Sequence, residues 1–293
     1  MSTLHPALQK LRTHLTFLPE NILQQLLEHL HQTIHYRPVI GIMGKSGTGK
    51  SSLCNALFQS PLCATHPLTG CTRDAQRLTL EIGERQMTLV DLPGVGETPE
   101  YDREYRMLYQ SLLPELDLII WVLRADERAY AADISMHRFL LGEGADPSRF
   151  LFVLSQADRI SPAHEWDAQH LSPSRQQQLS LAATSARVAG LFPSSFPVLP
   201  VAAPAGWNLP AFVSLMIHAL PAHATSAVFS HCRQENCSEQ DQQQAREDFG
   251  ETMGDSFDRI IDTFSLPSWL ITLLRRARQK IIGLLVSLWD KFF

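Results

Sequence analysis

Two hydrophobic periods alternate along the chain. Between residues 3 and 36 apolar positions recur at helical spacing, with Leu23, Leu26, Leu27, Leu30 and Ile34 on one face, so one or two amphipathic helices precede the first strand. From Pro38 the pattern switches between short apolar runs and helical stretches. It predicts strands at 38–43, 75–82, 86–92, 117–123, 149–155 and 196–202, and helices at 50–59, 103–113, 129–142, 175–191 and 208–220. Such alternation gives a mostly parallel sheet covered on both faces, a doubly wound α/β domain. Leu118 to Leu123 and Phe150 to Leu154 are apolar throughout, as strands buried on both faces must be. Leu78-Thr79-Leu80-Glu81-Ile82 alternates instead, which suits an edge strand with one wet face.

After Pro221 the composition turns polar, with Gln234, Glu235, Glu239, Gln240, Asp241, Gln242, Gln243 and Gln244. This stretch reads as a linker leading into helices. The partition is therefore an N-terminal helical segment over 1–36, an α/β domain over 37–222, and a polar linker with a C-terminal helical appendage over 223–293. From Pro267 onward Leu270, Leu274, Ala277, Ile281, Leu284, Leu285, Leu288 and Phe292 share a helical face, with Arg275, Arg276, Arg278 and Lys280 mainly away from it. Residues 265–293 hold five basic residues and one acid, in a chain of formal charge −5. The uncharged run Ile281 to Trp289 is far short of the roughly 20 residues that span a bilayer. Two readings stand: the helix packs internally, or it binds a membrane surface or a ribosome/RNA partner.

With 293 residues and 44% hydrophobic content the chain can bury a substantial core. Its negative balance argues against a surface that embraces nucleic acid as a whole, though a local basic patch is compatible with it. The five cysteines, Cys54, Cys63, Cys71, Cys232 and Cys237, are odd in number, which points to reduced thiols and a cytoplasmic location. Cys232 and Cys237 lack zinc-site spacing and read as structurally incidental. No charged segment followed by an apolar run opens the sequence, so the expected place is the cytoplasm, with the inner membrane face reached only peripherally.

The densest chemistry lies where the first strand runs into Gly44-Lys45-Ser46-Gly47-Thr48-Gly49-Lys50-Ser51, the G-x-x-x-x-G-K-S pattern of a phosphate-binding loop. Glycines at 44, 47 and 49 let backbone N–H groups face phosphate oxygens, and the following helix adds its positive end. Lys50 would reach the β/γ-phosphates and the Ser51 hydroxyl would ligate Mg²⁺, with Ser52 the second choice by position. Asp91-Leu92-Pro93-Gly94 puts an acid at a strand end and a glycine three residues later. Asp91 would hold the Mg²⁺ shell through water, the Gly94 N–H would meet the γ-phosphate, and hydrolysis would release loop 93–102. Between them Thr72, with Thr69 in reserve, could bring a hydroxyl to Mg²⁺ and its backbone to the γ-phosphate. Lys50, Thr72 and Gly94 are thus the expected catalytic contacts. At the end of a later strand Ser155-Gln156-Ala157-Asp158 occupies the place of the guanine-reading N-K-x-D, and the Asp158 carboxylate can accept from guanine N1–H and N2–H₂, a donor pair adenine lacks. A further base-contact loop is expected around Val201-Ala202-Ala203, whereas Thr184-Ser185-Ala186 falls on a helix.

These residues resemble the Era/TrmE-like branch of translation-factor-type GTPases over about residues 37–222. Cys71-Thr72-Arg73-Asp74 is similar to its T-T-R-D, and Asp91-Leu92-Pro93-Gly94 to its D-T-P-G. More narrowly, residues 41–47, 91–97 and the tail Trp289-Asp290-Lys291-Phe292-Phe293 resemble the prophage-associated YfjP/YeeP type, labelled a 50S ribosome-binding GTPase. The resemblance implies a P-loop NTPase fold, GTP/GDP with Mg²⁺ as ligands, and in some relatives a nucleotide-dependent dimer. Departures temper this. Gly47 stands where potassium-activated members carry asparagine, Ser155 and Gln156 replace a loop-bracing amide and a charged stem over the base, and Val95 replaces a water-orienting glutamine. Guanine affinity is accordingly expected to be weakened and unaided hydrolysis to be slow, with Arg73 and Glu97 as loop candidates for charge or water positioning. A GTPase switch, a nonhydrolysing nucleotide-binding module and an ATP-using or membrane-associated P-loop NTPase are the three functional readings.

Overall fold

The computed structural model describes residues 11–59, 76–92 and 99–293. In chain order its main elements are α1 (Glu20–Ile34), β1 (Val39–Met43), α2 (Lys50–Leu57), β2 (Gln76–Ile82), β3 (Arg85–Asp91), α3 (Pro99–Leu112), β4 (Leu118–Arg124), α4 (Ala131–Gly142), β5 (Phe150–Ser155), α5 (Arg175–Leu191), β6 (Leu199–Pro200), α6 (Leu209–Ala219), α7 (Ala222–His231), α8 (Glu239–Thr263) and α9 (Ser268–Ser287). They form two compact units, one of Arg37–Leu220 with His231–Ser238, the other of Met1–Tyr36, Pro221–Ser230 and Glu239–Phe293.

The first unit is a six-stranded sheet in the order β2-β3-β1-β4-β5-β6, parallel except for the antiparallel β2–β3 pair. Continuous apolar sequence put β4 and β5 next to each other inside the sheet, and the alternating β2 took the edge. β1 lies between β3 and β4, with Gly41 opposite Val90 on one side and Ile119 on the other. The carboxyl ends of β1, β3, β4 and β5 therefore open at one rim, where an open α/β sheet holds its ligand. Beneath the rim Trp121, Phe150, Phe152 and Phe192 are buried around the ring of His137, with centroid separations to that ring of 5.8, 5.0, 5.2 and 5.6 Å. The last strand is shorter than the sequence pattern predicts. Pro197 and Pro200 offer no ladder N–H, so β6 contributes only Val153↔Leu199 and Leu154↔Pro200 before Val201 donates to the Leu154 carbonyl at 2.8 Å.

The second unit packs α1 and α9 on α8. Its core contains Leu23, Leu26 and Leu30 of α1, Phe249, Met253 and Phe257 of α8, and Leu274, Ile281 and Leu285 of α9. The expected polar linker is corrected here: most of it is the start of the 25-residue α8. Gln and Glu lose little rotamer freedom in a helix, and the pairs Gln243–Glu247 and Gln244–Asp248, each at 2.7 Å, close at i,i+4 spacing. Gly250 and Gly254, one turn apart on α8, meet α9 closely: a Cβ on Gly250 would lie 3.2 Å from Val286, and one on Gly254 would lie 2.4 Å from the Arg278 guanidinium. That guanidinium donates through Nε to both carboxylate oxygens of Asp258, at 3.0 and 2.9 Å.

Candidate functional site

The phosphate-loop sequence sits where its pattern requires, between the end of β1 and the start of α2. Gly44, Gly47 and Gly49 have φ values of 143°, 77° and 91°, which side-chain-bearing residues rarely adopt. At Gly44 the constraint is also steric, because a Cβ would come within 2.4 Å of the Val122 carbonyl oxygen on β4. Thr48 folds back on the loop, its hydroxyl donating to the Lys45 carbonyl at 2.9 Å. The Lys50 ammonium crosses the loop to the Gly44 carbonyl at 2.7 Å and lies 3.8 Å from Asp91 Oδ1 at the end of β3. Ser51 and Ser52 occupy the first turn of α2.

Asp91 is mostly buried, and its Oδ1 accepts no hydrogen bond. Burial raises its pKa, and the nearby Lys50 charge opposes that rise. On α2, burial pushes the Cys54 thiol up to about 12, with Asp91 adding to the shift, so this thiol stays protonated at neutral pH.

The guanine-type motif follows β5. Asp158 lies in a short 3-10 turn, Ala157–Arg159, and its Oδ1 is buried without a hydrogen-bond partner. Ser155, standing where the pattern has a loop-bracing amide, and Gln156, where it has a charged stem, both make bracing contacts of their own. The Ser155 hydroxyl donates to the Thr48 carbonyl at 2.5 Å and lies 3.1 Å from the Leu123 carbonyl. Gln156 takes a left-handed backbone, φ 54°, and its amide donates to the Gly47 carbonyl at 2.8 Å. A hydroxyl and an amide thus tie the base-type loop to the phosphate loop. The Val201 carbonyl accepts from Ala157 N at 3.1 Å, so the stretch around Val201-Ala202-Ala203 lies against the Asp158 turn, while Thr184-Ser185-Ala186 lies on α5. A cavity of about 530 Å³, lined by Glu127, Arg128, Ser161, Thr184 and Arg187 among others, flanks this corner without touching the phosphate loop.

Sequence reasoning missed the partner of Lys45. Its ammonium donates to the Ala129 carbonyl and stands 3.2 Å from Oδ2 of Asp133, a fully buried residue of α4 whose Oδ1 accepts from Trp121 Nε1 at 3.1 Å. Burial raises the Asp133 pKa, with the Trp121 bond and then the Lys45 charge acting against it. An acid in the first turn of a helix whose other buried positions are Met136, His137 and Leu140 was the available signal. Also missed was the segment after α7. Arg233 Nε donates to the Asn55 and Phe58 carbonyls at 3.0 and 3.1 Å, and Asn236 Nδ2 to the Ala56 carbonyl at 2.9 Å, so His231–Ser238 caps the far end of α2. Cys232, read as incidental, bridges Phe58 in this strap. Thr72 and Gly94, together with Thr69, Arg73, Val95 and Glu97, lie outside the described residues.

The family described as 50S ribosome-binding GTPase matches residues 39–155. The uncharacterised proteins YfjP and YkfA of Escherichia coli K12 are 39% and 37% identical to the chain, each over 98% of both sequences. Among solved structures, Aquifex aeolicus Era is similar with 22% identity and a TM-score of 0.45, covering 62% of this chain and 56% of that one.

Proposed function

Because the chain belongs to the family of YfjP and its residues 39–155 match the family described as 50S ribosome-binding GTPase, we propose that it is a Mg²⁺-dependent GTP-binding switch with slow intrinsic hydrolysis. The observation that carries the guanine assignment is the buried, unpartnered Oδ1 of Asp158, held in a turn that Ser155 and Gln156 fasten to the phosphate loop. A carboxylate oxygen so placed has desolvation to recover, and the N1–H and N2–H₂ of guanine offer the donors. In this reading the N–H groups of residues 44–49 hold the phosphates, and Lys50 turns from the Gly44 carbonyl to a phosphate oxygen. Ser51 and Asp91, a hydroxyl and a carboxylate oxygen lacking a donor, suit a hard cation that keeps waters and phosphate ligands. Mg²⁺ bound there would neutralise charge on the β- and γ-phosphate oxygens. Thr72 and Gly94 complete the γ-phosphate contacts. Val95 gives the loop after Gly94 no water-orienting side chain, so turnover is slow unless a partner supplies one.

Equilibrium binding of fluorescent GTP with Mg²⁺, competed by GTP, GDP and ATP, tests the assignment. Guanine nucleotides alone should compete, and Lys50→Ala should abolish binding. Equal competition by ATP would refute it. Phosphate release in single turnover separates a slow GTPase from a nonhydrolysing module, which would show bound GTP persisting unchanged.

A further inference from the structure

The main apolar stripe of α9 is used inside the helical unit, where Leu274, Ile281 and Leu285 are buried, so the packing reading holds for that stripe. Its opposite face does not follow the same logic. Trp269 is 69% exposed and Leu273 53% exposed, and at successive steps of four, three and four residues Arg276 and Lys280, both exposed, continue the same line. Just before the helix, Phe264 and Leu266 are half-buried in the turn from α8. Neighbouring cations are already engaged, Arg278 with Asp258 and Arg275 at 3.4 Å from Asp262. Arg276 and Lys280 form no ion pair among the described residues, and α9 contains no acid that would answer them.

We propose that this face, Trp269, Leu273, Arg276 and Lys280, docks the helical unit on an anionic lipid surface. The chemistry of the four residues selects that partner. An indole and a leucine in line need an apolar phase, and an indole is at home at headgroup depth. Two unpaired cations on the following turns need anions at a fixed distance from that apolar phase. A bilayer with acidic headgroups meets both demands along one short helix face, whereas an RNA backbone answers the cations and leaves Leu273 against phosphate and sugar. No described helix is long and apolar enough to cross a membrane, so the segment lies on the surface and binding is reversible. The chain's overall charge of −5 opposes an acidic membrane, which makes attachment local to this cationic face and sensitive to salt.

The test is co-sedimentation of the full chain with phosphatidylcholine vesicles with and without phosphatidylglycerol, at low and high salt. Binding should require phosphatidylglycerol and fall with salt. It should drop by about tenfold or more in Arg276→Glu/Lys280→Glu, and comparably in Trp269→Ser/Leu273→Ser. All four positions are exposed, and an unchanged thermal unfolding midpoint in each variant verifies the fold. Absence of binding to either vesicle would overturn the proposal, as would binding that ignores the acidic lipid. So would binding to ribosomal RNA, lost on charge reversal but kept in Trp269→Ser/Leu273→Ser, with no vesicle binding.

Discussion

The Ser155 hydroxyl joins two loops that meet only in the folded chain, and its removal leaves the Thr48 carbonyl without that donor. Ser155→Ala should cost about 1–2 kcal/mol in urea unfolding and weaken nucleotide binding several-fold, because the phosphate loop loses a brace. Unchanged affinity would show that the brace serves folding alone. Beneath it, His137 Nε2 is buried without a partner among aromatic rings, and burial lowers its pKa from 6.5 to about 4. Its folded pKa lies below its unfolded one, so between those values the unfolded chain binds more protons. Stability is therefore full above about pH 6.5 and is lost as pH falls toward 4, by up to roughly 3 kcal/mol from this group. The slope of unfolding free energy against pH in that window should flatten in His137→Gln. The motifs that hold Lys50, Asp91 and Asp158 could be located in the sequence because each is local. The Lys45–Asp133 pair could not, since only the β1–β4 register brings loop and helix together.

Helices α8 and α9 show how glycine sets a distance. Gly254→Val should push the flexible Arg278 guanidinium off Asp258 and, since that ion pair is partly exposed, lower the stability of the helical unit by no more than about 1 kcal/mol, read from thermal unfolding followed by circular dichroism. Gly283, within α9, faces open space, since a Cβ there would meet nothing within 4 Å, so Gly283→Ala should raise stability by about 0.5–1 kcal/mol. Equal effects of the two substitutions would remove the packing argument. At the same scale, the polar composition of 234–244 concealed a helix start, because hydrophobic periodicity says little where the inward positions are Asp241 and Ala245. The capping of α2 by Arg233 and Asn236 left no local trace either, for the donors lie far along the chain from the carbonyls they satisfy.

Across the α/β unit, element order and the central and edge positions of strands were legible, because burial on two faces, one face or one stripe each imposes its own period. What the sequence pattern withheld was connectivity: the strap returns to the α/β unit between two segments of the helical one. The central claim, guanine recognition at this rim, is tested most directly by exchanging the donor–acceptor sense at Asp158. Xanthine carries an oxygen where guanine carries the N2 amine, so an amide at position 158 can donate to it. Competition binding with the intact protein should show Asp158→Asn losing GTP affinity by at least about tenfold while gaining xanthosine triphosphate affinity. GTP binding unaltered by Asp158→Asn, with no gain for xanthosine triphosphate, would contradict the account.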